Sequence, residues 1–121
     1  MTEKPQDKKL AAYRRGFLAE YVTALFLLVK GYHIVAMRYR SKGGEVDIIA
    51  RKGDLAVFVE VKARRSIDDA LSAVGFATQR RIEAASLHWL SRQKDAPKLS
   101  RRYDIVAVLP WRLPVHFRDV F

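Results

Sequence analysis

No cysteine occurs anywhere in the chain. That excludes a disulfide framework, argues against a soft-ligand zinc site and fits a reducing cytoplasm, the expected location. Long hydrophobic runs are absent as well. The apolar stretch over residues 21–29 is nine residues long, far short of the ~20 needed to span a bilayer. It lies too deep in the chain, with no cleavage-type sequence after it, to read as a signal peptide. No basic amphipathic helix stands out as a membrane-surface element, so no membrane partner is expected. The three histidines share no metal-ligand spacing, and there are no repeats or low-complexity segments. Acidic residues are scarce: 13 Asp and Glu stand against 23 Lys and Arg, a formal net charge of +10. An imbalance of that size points to a polyanionic partner, most often nucleic acid.

What is present suits one small α/β domain. Half of the 121 residues are hydrophobic, enough for a core of modest size. Residues 1–7 are polar and contain Pro5, which predicts a loose tail ahead of a single domain over 8–121. Residues 8–30 read as a helix closed by Gly31. In it Leu18, Tyr21, Val22, Leu25, Leu28 and Val29 recur at helical spacing, which predicts deep packing against a sheet. Strands are expected over 32–38, 43–52, 55–62 and 103–109, with a short edge strand over 115–117. A helical region over 68–92 has a break at Gly75. The order is α-β-β-β-α-β, a mixed sheet flanked by helices.

The most informative residues sit in the second and third strands. Residues 55–62 are rich in β-branched and aromatic side chains, and within them Glu60 and Lys62 share a face because alternate strand residues do. Gly53-Asp54 between the strands suits a two-residue hairpin turn. Pairing Lys52 with Leu55 then puts Asp47 opposite Glu60 and Glu45 opposite Lys62, with directly opposed Cβ atoms about 5 Å apart. Two carboxylates so close repel unless a proton or a cation lies between them. One reading is a structural ladder of ion pairs among Glu45, Asp47, Glu60 and Lys62. The other is a hard-cation site for Mg²⁺, built from two carboxylates, a backbone carbonyl and waters, with Lys62 beside it.

The ordered series Gly16…Glu20, Gly31-Tyr32, Gly44-Glu45-Val46-Asp47-Ile48-Ile49-Ala50, Val57-Phe58-Val59-Glu60-Val61-Lys62-Ala63-Arg64, Gln79-Arg80-Arg81 and Arg102-Tyr103-Asp104 resembles the bacterial YraN-like family. Through Asp47 and Glu60-Val61-Lys62 it resembles the PD-(D/E)XK nucleases and the archaeal Holliday-junction resolvases, with Val46 in place of the proline that names the superfamily. The resemblance covers roughly residues 13–121. It implies a restriction-endonuclease-like fold and a Mg²⁺- or Mn²⁺-dependent DNA endonuclease acting on branched DNA. Asp47, Glu60 and the Val61 carbonyl would ligate the metal, with Glu20 completing the shell or orienting a water. Lys62 would position the attacking water, and Gln79 would reach towards the site from its helix. Symmetric cutting by such resolvases implies a homodimer. The alternative is a catalytically silent nucleic-acid-binding module on the same fold.

Around these positions lie basic residues suited to phosphate contacts: Arg38, Arg40 and Lys42 before the hairpin, Arg64-Arg65 after it, and Arg80-Arg81 on the second helical region. On a helical wheel Glu20 shares a face with Tyr13, Phe17, Ala24 and Leu27, where a carboxylate pairs with a cation or serves the site. Asp104 follows Arg101-Arg102 and reads as an arginine's partner.

Overall fold

A computed structural model describes residues 4–121. Helix α1 (Pro5–Val29) precedes strands β1 (His33–Ser41), β2 (Gly44–Lys52) and β3 (Leu55–Ala63). Helices α2 (Ile67–Ser72) and α3 (Phe76–Ser91) follow, then β4 (Ser100–Val108) and β5 (Val115–Phe117). The sheet order is β1-β2-β3-β4-β5, antiparallel throughout except for the parallel pair β3–β4. α1 packs on one sheet face and α3 on the other. This is the expected mixed-sheet α/β domain, and its element order is consistent with a restriction-endonuclease-like core.

Local chemistry explains the boundaries. Pro5 opens α1 at a position where a missing N–H costs nothing, so the helix begins inside the segment expected to be a tail; residues 1–3 of that segment lie outside the described residues. Gly31 (φ 95°) leaves α1 through the left-handed region. Gly75 is the N-cap of α3, which makes the predicted break the boundary between two helices. The hairpin register is the one the turn dictates: Lys52 pairs with Leu55, and the ladder runs to Ile48 with Val59.

One expectation is overturned. The face of α1 against the sheet is Ala19, Glu20, Thr23, Ala24 and Leu27, not the expected apolar stripe. Leu18, Tyr21, Val22, Leu25, Leu28 and Val29 all point outward and are exposed. The second half of α1 is apolar all round, so periodicity could not choose a face. Packing chose a face on which Leu27 is the one large apolar side chain and Ala19, Thr23 and Ala24 are small, so the helix packs against Val57, Val59 and Ile48.

On the other face, Ile82, Ala85 and Trp89 of α3 cover Val46, Ile49, Ala56 and Phe58. Phe58 meets Trp89 edge-on at 5.9 Å and stacks on Tyr103 at 5.5 Å. Gly44 is the point of closest approach. A Cβ there would lie 2.5 Å from the Ala85 nitrogen and 2.8 Å from the Arg81 carbonyl oxygen. That contact fixes α3 over the start of β2, beside the candidate site.

Candidate functional site

β2 and β3 cease to pair beyond Ile48 and Val59, and the gap that opens there is the floor of a cleft. The neighbouring β1–β2 ladder shifts register between Ile34 and Ala36 and lacks one pair at the level of the gap. Met37 pairs with Ile48 and Tyr39 with Val46, but the intervening Arg38 and Asp47 drop out of the pairing. Arg38 has φ 52°, an uncommon conformation for a non-glycine residue. Val46 and Ile49, an odd number of residues apart, both face α3, so β2 twists between them and turns Asp47 out of the regular alternation. The local distortion is what delivers Arg38 and Asp47 to the cleft.

The cleft holds about 370 Å³ and is walled by α1 (Arg15, Gly16, Glu20), β1 to β3 (Arg38, Glu45, Asp47, Glu60, Val61, Lys62) and α3 (Thr78, Arg81). Asp47 accepts a hydrogen bond from the Val61 N–H at 2.8 Å. Burial, then the hydrogen bond and negative charge of Glu60, push the Asp47 carboxyl up to about 8; the Val61 N–H and the Lys62 charge act the other way. At neutral pH this aspartate therefore holds a proton against Glu60. Glu60 is 7% exposed, and its Oε2 lies 3.6 Å from the Lys62 Nζ. Glu20, 6% exposed, accepts a 2.8 Å bond from the Arg38 Nε. Burial raises its carboxyl, the Arg38 bond opposes that, and the charge of Asp47 adds to it. Arg38 is itself clamped, its guanidinium carbon 3.3 Å from the Phe17 ring centroid.

Thus Glu20, Asp47, Glu60, Val61 and Lys62 line one cleft. Gln79 does not; its amide donates to the Val74 carbonyl at 3.4 Å, and α3 presents Thr78 and Arg81, one turn apart, instead. Glu45 pairs with Arg81 at 2.9 Å rather than with Lys62, because the ladder ends before those two could oppose. Of the predicted phosphate-contacting residues, Arg64 and Arg81 line the cleft, while Arg40, Lys42, Arg65 and Arg80 are exposed outside its lining. Arg38 is committed to Glu20. Arg15 and Thr78 were not singled out for the site from sequence. The spacing of Ala12, Arg15, Gly16 and Ala19 on one helical stripe was the signal that could have found Arg15.

Among the described residues no three His, Cys, Asp or Glu side chains are grouped so as to hold a metal ion by themselves. The donor set that does converge is a carboxylate pair with a backbone oxygen. The N–H and C=O of one strand residue point to the same side, so the Val61 carbonyl, like its N–H, faces the gap where β2 has left the ladder. Two carboxylates, a carbonyl and waters are a donor set that Mg²⁺ accepts.

Away from the cleft, Asp104 is fully buried and receives four hydrogen bonds: two from Arg102 at 2.9 and 2.8 Å, one from His116 at 2.7 Å and one from the Asp119 N–H at 2.9 Å. Burial alone would raise this carboxyl, but these donors outweigh it and hold it at about 2. Asp104 is thus the arginine partner that its neighbours in sequence suggested.

Fold and cleft together define a small α/β domain with an acidic pair and a lysine in a basic-rimmed cleft. Comparison with known proteins places it more narrowly. Residues 19–108 match the family described as Uncharacterised protein family UPF0102, the YraN-like family, and the chain belongs to it. It is 64% identical to a UPF0102 protein of Sinorhizobium medicae and 64% identical to one of Sinorhizobium fredii, over 98% of each chain in both cases. A UPF0102 protein of Mesorhizobium japonicum is 55% identical over all of this chain and 97% of its own length.

Among the described residues no helix is long and apolar enough to cross a membrane.

Proposed function

We propose that this protein is a cytoplasmic, Mg²⁺- or Mn²⁺-dependent DNA endonuclease of the PD-(D/E)XK type that acts on branched DNA in the manner of Holliday-junction resolvases. The observation that carries the reading is the gap in the β2–β3 ladder, into which Asp47, Glu60 and Lys62 converge inside a cleft rimmed by Arg15, Arg64 and Arg81. Asp47, Glu60 and the Val61 carbonyl would hold the metal, and Glu20 would bind one of its waters. The bound cation would supply a water of lowered pKa and neutralise phosphate charge. The rest falls to the chain itself. Asp47 would release its proton to solvent on becoming a ligand. The Lys62 ammonium, loosely held by Glu60 at 3.6 Å, donates to the phosphate oxygen on which charge grows in the transition state. Arg15, Arg64 and Arg81 grip the backbone on either side without reading sequence.

One observation favours the alternative of a silent nucleic-acid-binding module: Glu20 is already neutralised by Arg38. Labelled linear, nicked, flap and four-way DNA incubated with and without Mn²⁺ separates the two. Cleavage of the branched substrates that disappears in Glu60→Ala supports the enzyme. Binding without cleavage under any divalent cation, or cleavage that survives Glu60→Ala, refutes it.

A further inference from the structure

Among the described residues the outward face of α1 has no partner. Leu18, Tyr21, Val22, Leu25, Leu28 and Val29 fall within a 120° arc at 100° per residue, with exposures from 36% at Val22 to 89% at Val29. A groove lined by Leu18, Val22, Leu109 and Pro110, whose wall also includes three arginines and Asp69, joins that stripe to the β4–β5 loop. There Trp111 is fully exposed and held at φ 61°, with Leu113 78% exposed close by. Eight large apolar side chains at roughly 100 Å² each reach the ~800 Å² per partner of a stable interface and exceed the patch a monomer usually leaves bare.

We infer that this face binds a second copy of the chain, with the two α1 helices crossing antiparallel about a two-fold axis between Val22 and Leu25. The stripe is self-complementary in that arrangement: Leu18 meets Val29 of the partner subunit, and Val22 meets the partner's Leu25. Trp111, at the Leu18 end, comes to lie towards the partner's Leu28 end. Charge argues for a like partner. From residue 18 to residue 29 the only charged side chain is Glu20, and it is buried against the sheet. Along the stripe itself an acidic or basic protein would find nothing to pair with; the charged side chains Arg15, Arg64, Arg65 and Asp69 belong to the adjoining groove. A membrane-surface helix needs basic residues along its polar face, whereas here that face packs on the sheet and Lys8, Lys9, Arg14 and Arg15 all precede the stripe. A two-fold contact also buries the stripe completely in a closed pair, leaving none for further addition.

The test needs no DNA and stands apart from catalysis. Sedimentation of the full chain at about 100 µM, above the range typical of such interfaces, should give twice the 13.9 kDa protomer mass. Leu25→Glu, a change at an exposed position of the protomer, should give the protomer mass with unchanged far-UV circular dichroism. Because the chain has no cysteine, Val22→Cys should form a disulfide-linked pair on mild oxidation, while Glu83→Cys on the exposed side of α3 should not. A monomeric wild-type chain overturns the inference. So does a Leu25→Glu protein that stays dimeric, or a monomer that binds phosphatidylserine vesicles through Leu25.

Discussion

Replacing Asp47 by asparagine should stabilise the metal-free protein at neutral pH, an unusual result for a half-buried polar position. The reason is the proton that Asp47 holds. Its ordinary value is 3.8 and its folded value about 8, so between these limits the folded state binds one proton that the unfolded chain has released. Stability is therefore highest below about pH 4 and is lost as pH rises through about 8, by about 1.4 kcal/mol per pH unit. Between pH 5 and pH 7 the loss is about 3 kcal/mol. An asparagine amide reproduces the protonated aspartate: its oxygen accepts from the Val61 N–H and its NH₂ donates to Glu60, at every pH. Asp47→Asn should thus match wild type near pH 4 and exceed it at pH 7 by about 4 kcal/mol, a rise of roughly 15 °C in melting temperature. Differential scanning calorimetry in EDTA across pH 4–8 measures this directly, with the difference between the two proteins cancelling other titrating groups. Adding Mn²⁺ at pH 7 should raise wild type and leave Asp47→Asn unmoved. A wild-type-to-mutant difference that is the same at pH 5 and pH 7 would refute the reasoning.

Three further outcomes are expected. Lys62→Ala should lower single-turnover cleavage about 10²–10³-fold while calorimetric metal affinity stays the same; a loss of affinity would make Lys62 a structural partner of Glu60 instead. Asp104→Ala should destabilise by about 3–5 kcal/mol in urea melts, since Arg102 is left half-buried without its carboxylate. In wild type the stability Asp104 contributes is present above about pH 4 and lost as pH falls through about 2, which acid titration of the same melts should show. Gly44→Ala should cost about 1–3 kcal/mol by pushing α3 off the start of β2, read as a lower melting temperature; a neutral substitution would mean that α3 is not held there.

Residues close together in the chain decided much by themselves. The β-branched run of β3 and the Gly53-Asp54 turn set the hairpin register, because a two-residue turn leaves no freedom to slip and a slip would expose a hydrophobic face. Gly75 split the second helical region, and three residues from Val115 to Phe117 formed the edge strand expected of them. Asp104 took Arg102, two residues away on the same strand face. Its further partners His116 and Asp119 come from beyond the next turn and carry no local signal. Tertiary structure alone decided the rest. Whether large or small residues of α1 meet the sheet depends on how closely the helix can approach, a property of both surfaces that a helix apolar on all sides does not encode. Arg38 reads as a free cation from its neighbours, and only the fold brings Glu20 within 2.8 Å of it. The hairpin pattern opposed Asp47 and Glu60, but the strands stop pairing there, at the level where Arg38 and Asp47 also leave the β1–β2 ladder. A cleft is space left between elements, and its lining follows from their packing rather than from the periodicity within any one of them.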